Sequence, residues 1–433
     1  MHPNLSRIEL VTAILLGMSV PAIGIGKSVM AVLLIAASAL ILALFHRDRR
    51  WYRFFAHIRS PLGIAVIVMF AFWLVSALAS EEIAKSIRTW AITAFCVAMA
   101  AIFHVQITSR PRQLLVMQKS LVITALIIVA YADINVFISE APLQLLEYFS
   151  SKDMEAAATF KPYSSVAICM LPIVAWIGWC KKGVWRYIAA LAALLIILNI
   201  IRYGFPFWDR SLQTGYAALL GAGVAGLFLG FVFLCRSTPN VIRPALVIGF
   251  LILGLVAIFG IFEQLPEPPV VAGQEKFAPL PIVDWHRQVI WGFVYSQYFN
   301  FPIIGFGPNT INTVPGANYI IPGMNQEYVP SHPHNWLLEM MAETGALGTI
   351  AILIVLILLA RFLFMRALES RMAGWAGLAL MGAFWGSALG NFSIWSAWWQ
   401  VTFLLLVMMP LSSLALPKGN DISSKNERNC QRT

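Results

Sequence analysis

Apolar residues gather in long runs along this chain, with short polar breaks between them and little strict alternation. About twelve runs stand out, at approximately 8–25, 28–45, 61–80, 89–106, 120–138, 164–180, 187–201, 213–235, 244–262, 346–360, 372–394 and 397–416. Most are about 15 to 22 residues long, which suits helices crossing a hydrocarbon core of roughly 30 Å. Barrel strands are shorter and alternate outward with inward positions, so the runs predict helices. Only Gly24-Ile25-Gly26-Lys27 separates the first two. The first run lacks the short apolar core and small-residue cleavage site of a removable signal peptide, so it reads as an uncleaved anchor.

Composition agrees with the pattern. Of the 433 residues, 59% are hydrophobic and 12% charged, and the mean hydropathy is +0.77. A soluble domain could not hide that much apolar side chain. The chain therefore reads as an all-α polytopic membrane protein of about twelve transmembrane helices. Residues 1–262 carry the first nine, 263–345 form a large loop, 346–416 carry the last three, and 417–433 form a polar tail with the composition of a disordered segment.

Basic residues set the expected orientation. With the N-terminus inside, Arg7, Arg47, Arg49, Arg50, Arg53, Arg59, Arg110, Arg112 and the basic residues of the later inner loops and tail make roughly 21 inner positions. Roughly 9 remain outside, among them Lys27, Lys85, Arg202, Arg210 and Arg287. That asymmetry puts both termini in the cytoplasm and the 263–345 loop outside. The net charge of +10 is thus a signal of topology and of contact with anionic membrane lipids, not of nucleic-acid binding. The five cysteines, Cys96, Cys169, Cys180, Cys235 and Cys430, fall in runs, at inner ends or in the tail. The outer loops therefore have no disulfide framework.

The large loop has internal structure of its own. After Glu263-Gln264-Leu265-Pro266-Glu267-Pro268-Pro269, the stretch Asp284 to Tyr295 reads as an amphipathic helix. Arg287, Trp291, Val294 and Tyr295 would share one side, a pattern suited to the membrane interface. A Gly305-Phe306-Gly307-Pro308 turn follows, then a coil over 309–330 rich in Pro, Gly and Asn.

Next comes Ser331-His332-Pro333-His334-Asn335-Trp336, where the loop approaches the tenth run. Asn335 is placed to cap a short helix ending near Thr344, with Gly345 as its stop. A helix N-terminus beside the imidazole favours its neutral, proton-accepting form, so His334 is a candidate general base. The plain alternative is a loop histidine that helps cap the helix. His332 lacks the carboxylate or third histidine that would make a metal pair, and no Cys/His cluster has zinc spacing.

Arg287 could clamp phosphate oxygens, or it could snorkel from the interface to water. Arg202 and Arg210 bracket Tyr203 to Asp209 on the same outer side, so the three arginines could form an anion site. Arg210 beside Asp209 could equally be an ordinary ion pair. Asp133 is either a functional group or the place where its helix reaches water. Glu81-Glu82 reads as a solvated loop, and Gly345, Gly348 and Thr349 as a small-residue packing face. Walker, GxSxG and HExxH patterns are absent.

Together these residues resemble the O-antigen ligase/polymerase superfamily of bacterial envelope glycan transferases. The ligase pattern is His, then Asn, Ser or Gln, nine residues, Gly, two residues and a small residue; here it reads His334-Asn335, Trp336 to Thr344, Gly345-Ala346-Leu347 and Gly348. Arg287 with Trp291, followed by Pro302 to Pro308, is similar to the family's arginine helix and Gly-x-Gly-Pro turn. The resemblance spans about residues 190–400. Where the family often has Ser-Arg-Gly or Ser-Arg-Thr, this chain reads Asp209-Arg210-Ser211. Either Arg210 is the shifted equivalent or Arg202 takes its place.

The resemblance implies a GT-C-like glycosyltransferase of the bacterial inner membrane, working at a periplasmic loop between the ninth and tenth helices. It implies transfer of O-antigen from undecaprenyl diphosphate to lipid A–core, with inversion and without metal or other cofactor. His334 would be the base and Arg287 a catalytic partner, with Arg210, Arg202 and Asn335 holding the diphosphate end. A polymerase that extends the lipid-linked glycan is the alternative within the family. A transporter of lipid-linked glycan is the alternative outside it, although neither repeats nor paired broken helices are evident.

Overall fold

The computed structural model describes residues 5–150, 156–204, 215–268 and 285–416. Their regular structure is helical, apart from an isolated bridge between Ile320 and Glu327. The order is α1 (Arg7–Ser19), α2 (Lys27–Arg47), α3 (Trp51–Ile58), α4 (Pro61–Ala79), α5 (Ile83–Thr108), α6 (Pro111–Phe137), α7 (Ala141–Ser150) and α8 (Ala156–Cys180). There follow α9 (Val184–Gly204), α10 (Tyr216–Ser237), α11 (Arg243–Phe262), α12 (Trp285–Tyr298), α13 (Trp336–Leu368), α14 (Met372–Ser387) and α15 (Ala397–Ala415).

Ten of these helices are long and apolar enough to span a membrane: α2, α4, α5, α6, α8, α9, α10, α11, α13 and α15. The protein is thus an all-α, multi-span membrane protein. The other two apolar runs also form helices, but α1 has 13 residues and α14 has 16. Helix starts follow local chemistry. Ser6 and Glu9 close a reciprocal capping box on α1, and proline at the first turn opens α4, α6 and α11.

The ends predicted to be cytoplasmic do converge. Arg110 pairs with Glu9 at 3.0 Å, Arg50 pairs with Asp48 at 2.7 Å, and Gln113 Nε2 donates to the Glu9 carbonyl. Burial lowers the pKa of the Arg50 guanidinium, against the opposing pull of Asp48. At mid-bundle, α10 and α14 come together through small residues. A Cβ at Gly382 would meet Ala225 at 2.6 Å, and one at Gly386 would meet Val224 at 2.8 Å. Helix α11 is the opposite case, apolar along its length with only Phe262 buried, as suits a helix facing lipid.

Two expectations need correcting. Helix α12 does not lie with one face on an interface, because Gln288 through Val294 are all buried and it packs on α13. The amphipathic pattern is overridden by tertiary packing that encloses residues 288–294 on every side. The stretch 309–330 is also not simple coil. It holds a short 3-10 turn at Ile311–Thr313 and buries Ile311, Val314, Ala317, Ile321, Tyr328 and Val329.

Candidate functional site

Helix α13 is interrupted where it enters the bundle. Gly345 has φ +61° and ψ −169°, a conformation that side chains resist, and its helical neighbours continue on both sides. A break leaves unpaired carbonyls before it and unpaired N–H groups after it. The segment 302–307 satisfies both sets. Phe306 N and Gly307 N donate to the Ala342 and Glu343 carbonyls at 3.0 and 2.8 Å, while Ala346 N and Leu347 N donate to the Pro302 and Ile303 carbonyls at 2.8 and 3.2 Å. The approach is so close that a Cβ at Gly345 would strike the Ile303 backbone, and one at Gly305 would strike Glu343. Gly345 therefore packs against the loop rather than against a helix, whereas a Cβ at Gly348 would press on Trp73 at 2.9 Å.

At the other end of this short helical piece, Asn335 is the N-cap. Its side-chain oxygen accepts from Leu337 N at 3.1 Å and Leu338 N at 3.2 Å, the capping role expected from its position. His334, just before it, is half-buried and held at φ +57°. Its Nδ1 lies 3.1 Å from the Asn391 carbonyl oxygen. A carbonyl can only accept, so Nδ1 carries the proton and the neutral ring has its lone pair on Nε2. Asn391 is itself fixed, its Nδ2 donating to Ser165 Oγ on α8 at 2.6 Å. The His332 ring sits beside that of His334, with centroids 4.2 Å apart, and its Nδ1 is 2.9 Å from Ser331 Oγ.

Two acidic residues on α13 hold this end of the molecule together. Glu339 accepts from Ser393 Oγ at 2.6 Å and Ile394 N at 2.9 Å. Glu343 accepts from Asn309 N at 2.6 Å, Ile311 N at 2.9 Å and the Trp395 indole. Both are 1% exposed, and hydrogen bonds of this number are what such burial requires. Through them the large loop, α13 and the segment between α14 and α15 become one assembly. The sequence pattern pointed to none of Glu339, Glu343, Asn391, Ser393 or Trp395. The apolar run 372–394 predicts a span through residues 389–394, but α14 stops at Ser387 and these residues, with Trp395, turn back over the site.

The predicted arginines fare differently. Arg287 is half-buried on α12, one turn before Trp291, whose indole donates to the Pro333 carbonyl at 2.8 Å. That contact brings the Arg287 helix against the residue preceding His334. Arg202 lies in the last turn of α9, one turn after Asn199. Its Nη1 is buried without a hydrogen-bond partner among the described residues, and no described contact joins it to the His334 cluster. Arg210 lies outside the described residues, as does Asp284. Asp133 is buried and bonded to Asn199 Nδ2 at 2.8 Å, so it does not mark where α6 reaches water. Among the described residues, no group of three or more His, Cys, Asp or Glu is placed to hold a metal.

The stretch that carries this site is similar to known proteins. Residues 212–353 match the family model described as O-Antigen ligase, a stretch that contains α12, His334 and the break at Gly345. The chain is also similar to proteins named "Putative polysaccharide ligase". The one from Rickettsia conorii is 25% identical over 237 residues, 52% of this chain and 55% of the relative. Those from Rickettsia prowazekii and Rickettsia bellii are 24% and 26% identical over 222 and 224 residues, covering 50% and 48% of this chain and 52% and 48% of their own lengths. The chain thus spans about half the length of the curated relatives it matches. It is homologous, at low identity and over part of its length, to O-antigen ligase family members and polysaccharide ligases.

Proposed function

We propose that this protein is an O-antigen ligase of the bacterial inner membrane, joining a glycan carried on undecaprenyl diphosphate to a sugar of lipid A–core. The observation that carries the reading is the bond between His334 Nδ1 and the Asn391 carbonyl, which holds the proton on Nδ1 and makes Nε2 the basic nitrogen of a half-buried imidazole. The match to the O-antigen ligase family over 212–353 supports the reaction class. In this reading α1 and α14 also cross the membrane, which makes twelve spans. Both termini are cytoplasmic and residues 263–345 face the periplasm. The clustering of Arg50, Arg53 and Arg110 at the opposite end from His334 supports that orientation.

In the proposed step an acceptor hydroxyl attacks the anomeric carbon bonded to diphosphate. His334 Nε2 takes the hydroxyl proton as the new C–O bond forms. The bond to the diphosphate oxygen breaks on the opposite face, so the configuration inverts. Arg287, with Arg202 or Arg210, offsets the charge on the departing undecaprenyl diphosphate. Asn335, its side-chain oxygen occupied by the Leu337 and Leu338 N–H groups, sets the positive end of the helix dipole near the diphosphate. This chemistry calls for no metal or other cofactor.

The test is transfer by purified protein from undecaprenyl-diphosphate-linked glycan to lipid A–core in EDTA, comparing wild type with His334→Ala. Product from wild type alone supports the ligase. Longer lipid-linked chains with no product on the core would make the protein a polymerase, and dependence on added divalent metal would overturn the metal-free step.

A further inference from the structure

A cleft of about 340 Å³ opens beside the α13 break, between the α4–α5 turn and the segment after α12. Its polar wall carries the carboxylates of Glu81 and Glu82 and the amides of Gln297 and Asn300, and its apolar wall the rings of Phe301 and Phe306. Glu81, Glu82 and Asn300 are exposed, and Phe301 is 48% exposed despite its size. The two rings stand edge to face with centroids 4.9 Å apart.

The floor is rigid. Thr310 is buried and its hydroxyl bonds to the Phe306 and Gly307 carbonyls at 3.1 and 2.6 Å. Ser80, also buried, accepts at 3.2 Å from both Glu82 N and Ser86 Oγ. Phe306 donates its backbone N–H to Ala342 at the helix break, so the apolar wall is fastened to the helix that follows His334.

Among the described residues, no Lys or Arg lines this cleft. Lys85, one turn along α5 from Glu82, bonds to Asn312 Oδ1 at 2.8 Å instead. Two carboxylates without a cation repel a diphosphate, which excludes the charged end of the donor. Carboxylate and amide groups accept and donate in the pattern that sugar hydroxyls require, and an exposed ring offers a face for the apolar side of a sugar. We propose that this cleft is a glycan subsite that binds uncharged, hydroxyl-rich sugar residues, separated from His334 by the helical piece 336–344.

The inference rests on the ligase reading for the identity of its ligand. The glycan bound could come from either source, the donor chain or the acceptor core. Saturation-transfer NMR with the full-length protein in detergent separates them. One arm uses oligosaccharide released from the undecaprenyl carrier and the other uses core oligosaccharide freed of lipid A, each with EDTA present.

Wild type should bind one of the two, and Asn300→Ala and Phe301→Ala should weaken that binding about tenfold or more while leaving the thermal midpoint unchanged. Glu82→Gln, which keeps an acceptor, should retain more binding than Glu82→Ala. Equal binding by wild type and both the Asn300 and Phe301 variants would overturn the subsite, as would binding of neither oligosaccharide. A signal seen only when calcium replaces EDTA would make the cleft a cation site and overturn it as well. His334→Ala separates the two readings, since it should lose transfer yet keep the NMR signal. Glycan binding by a wild type that transfers nothing would sink the ligase and spare the subsite.

Discussion

The Trp291 indole N–H donates to the Pro333 carbonyl oxygen at 2.8 Å, joining the arginine helix to the residue just before His334. Trp291 is 4% exposed, so the carbonyl would have no water to replace a lost donor. Trp291→Phe keeps an aromatic ring but removes the N–H together with part of the buried ring volume. We expect a stability cost of about 1–3 kcal/mol and a larger relative fall in transfer rate, on the order of tenfold, as Arg287 and His334 lose their common reference. Thermal unfolding in detergent and single-turnover transfer give the two numbers. A variant with full activity would show that the contact is only structural.

His334 offers a way to separate catalysis from folding. Its φ of +57° is costly for a side chain and easy for glycine. His334→Gly should therefore fold at least as well as His334→Ala, by about 1 kcal/mol, while both lose roughly 10²–10⁴-fold in transfer as general-base variants. Differential scanning fluorimetry alongside the transfer assay makes the comparison. Retained transfer by either variant would remove His334 from the base role.

Glu343 faces three N–H donors, from Asn309, Ile311 and Trp395. Glu343→Gln preserves the shape but turns an amide NH2 toward at least one of those donors. Leaving buried donors unsatisfied costs about 1–3 kcal/mol each. We expect loosening of 305–313 and 388–396 before the rest of the bundle, read as faster hydrogen exchange confined to those segments. Exchange unchanged there would mean the carboxylate is dispensable.

Gly345→Ala meets two penalties at once, a positive φ and the Ile303 backbone in the path of the new Cβ. The expected loss exceeds about 2 kcal/mol, enough to reduce the folded yield in membranes. Gly26→Ala, where a Cβ would meet nothing within 4 Å, serves as a surface control, although its φ of 161° is extended rather than left-handed.

Orientation is open to a direct check. Tyr319 is 71% exposed within the loop assigned to the periplasm. In a background with Cys96, Cys169, Cys180, Cys235 and Cys430 replaced, Tyr319→Cys should react with a membrane-impermeant maleimide added outside spheroplasts. Labelling only after the cells are broken would invert the topology.

Much of the architecture was legible because apolar length is a strong signal. The run at 244–262 became α11 at Arg243–Phe262, and the run at 61–80 became α4 at Pro61–Ala79. Asn335 was legible as a cap, and Gly345 as the end of a short helix, since each follows from local backbone chemistry. The segment 388–396 was not. Leu389, Phe392, Ile394 and Trp395 keep it as apolar as a span, so hydropathy hid Asn391 and Ser393 turning back over His334. The acids at 339 and 343 were hidden for a related reason. Spaced one turn apart, they look like one solvated face, and only the tertiary partners show that both are interior. Arg202 and Arg287 both belong to the expected outer set, but nothing local says which elements meet the histidine, and among the described residues only the Arg287 helix reaches the residue before His334.

The bond from Asn391 to His334 also orders events in time. During synthesis the chain reaches His334 well before residue 391, so the ring has no carbonyl to set its tautomer until α14 and the following turn have formed. Glu339 and Glu343 likewise await Ser393, Ile394 and Trp395. A chain stalled before its last helix pair would carry every residue of the loop and still lack the bond that sets the His334 tautomer, so that geometry appears only once the membrane domain is closed.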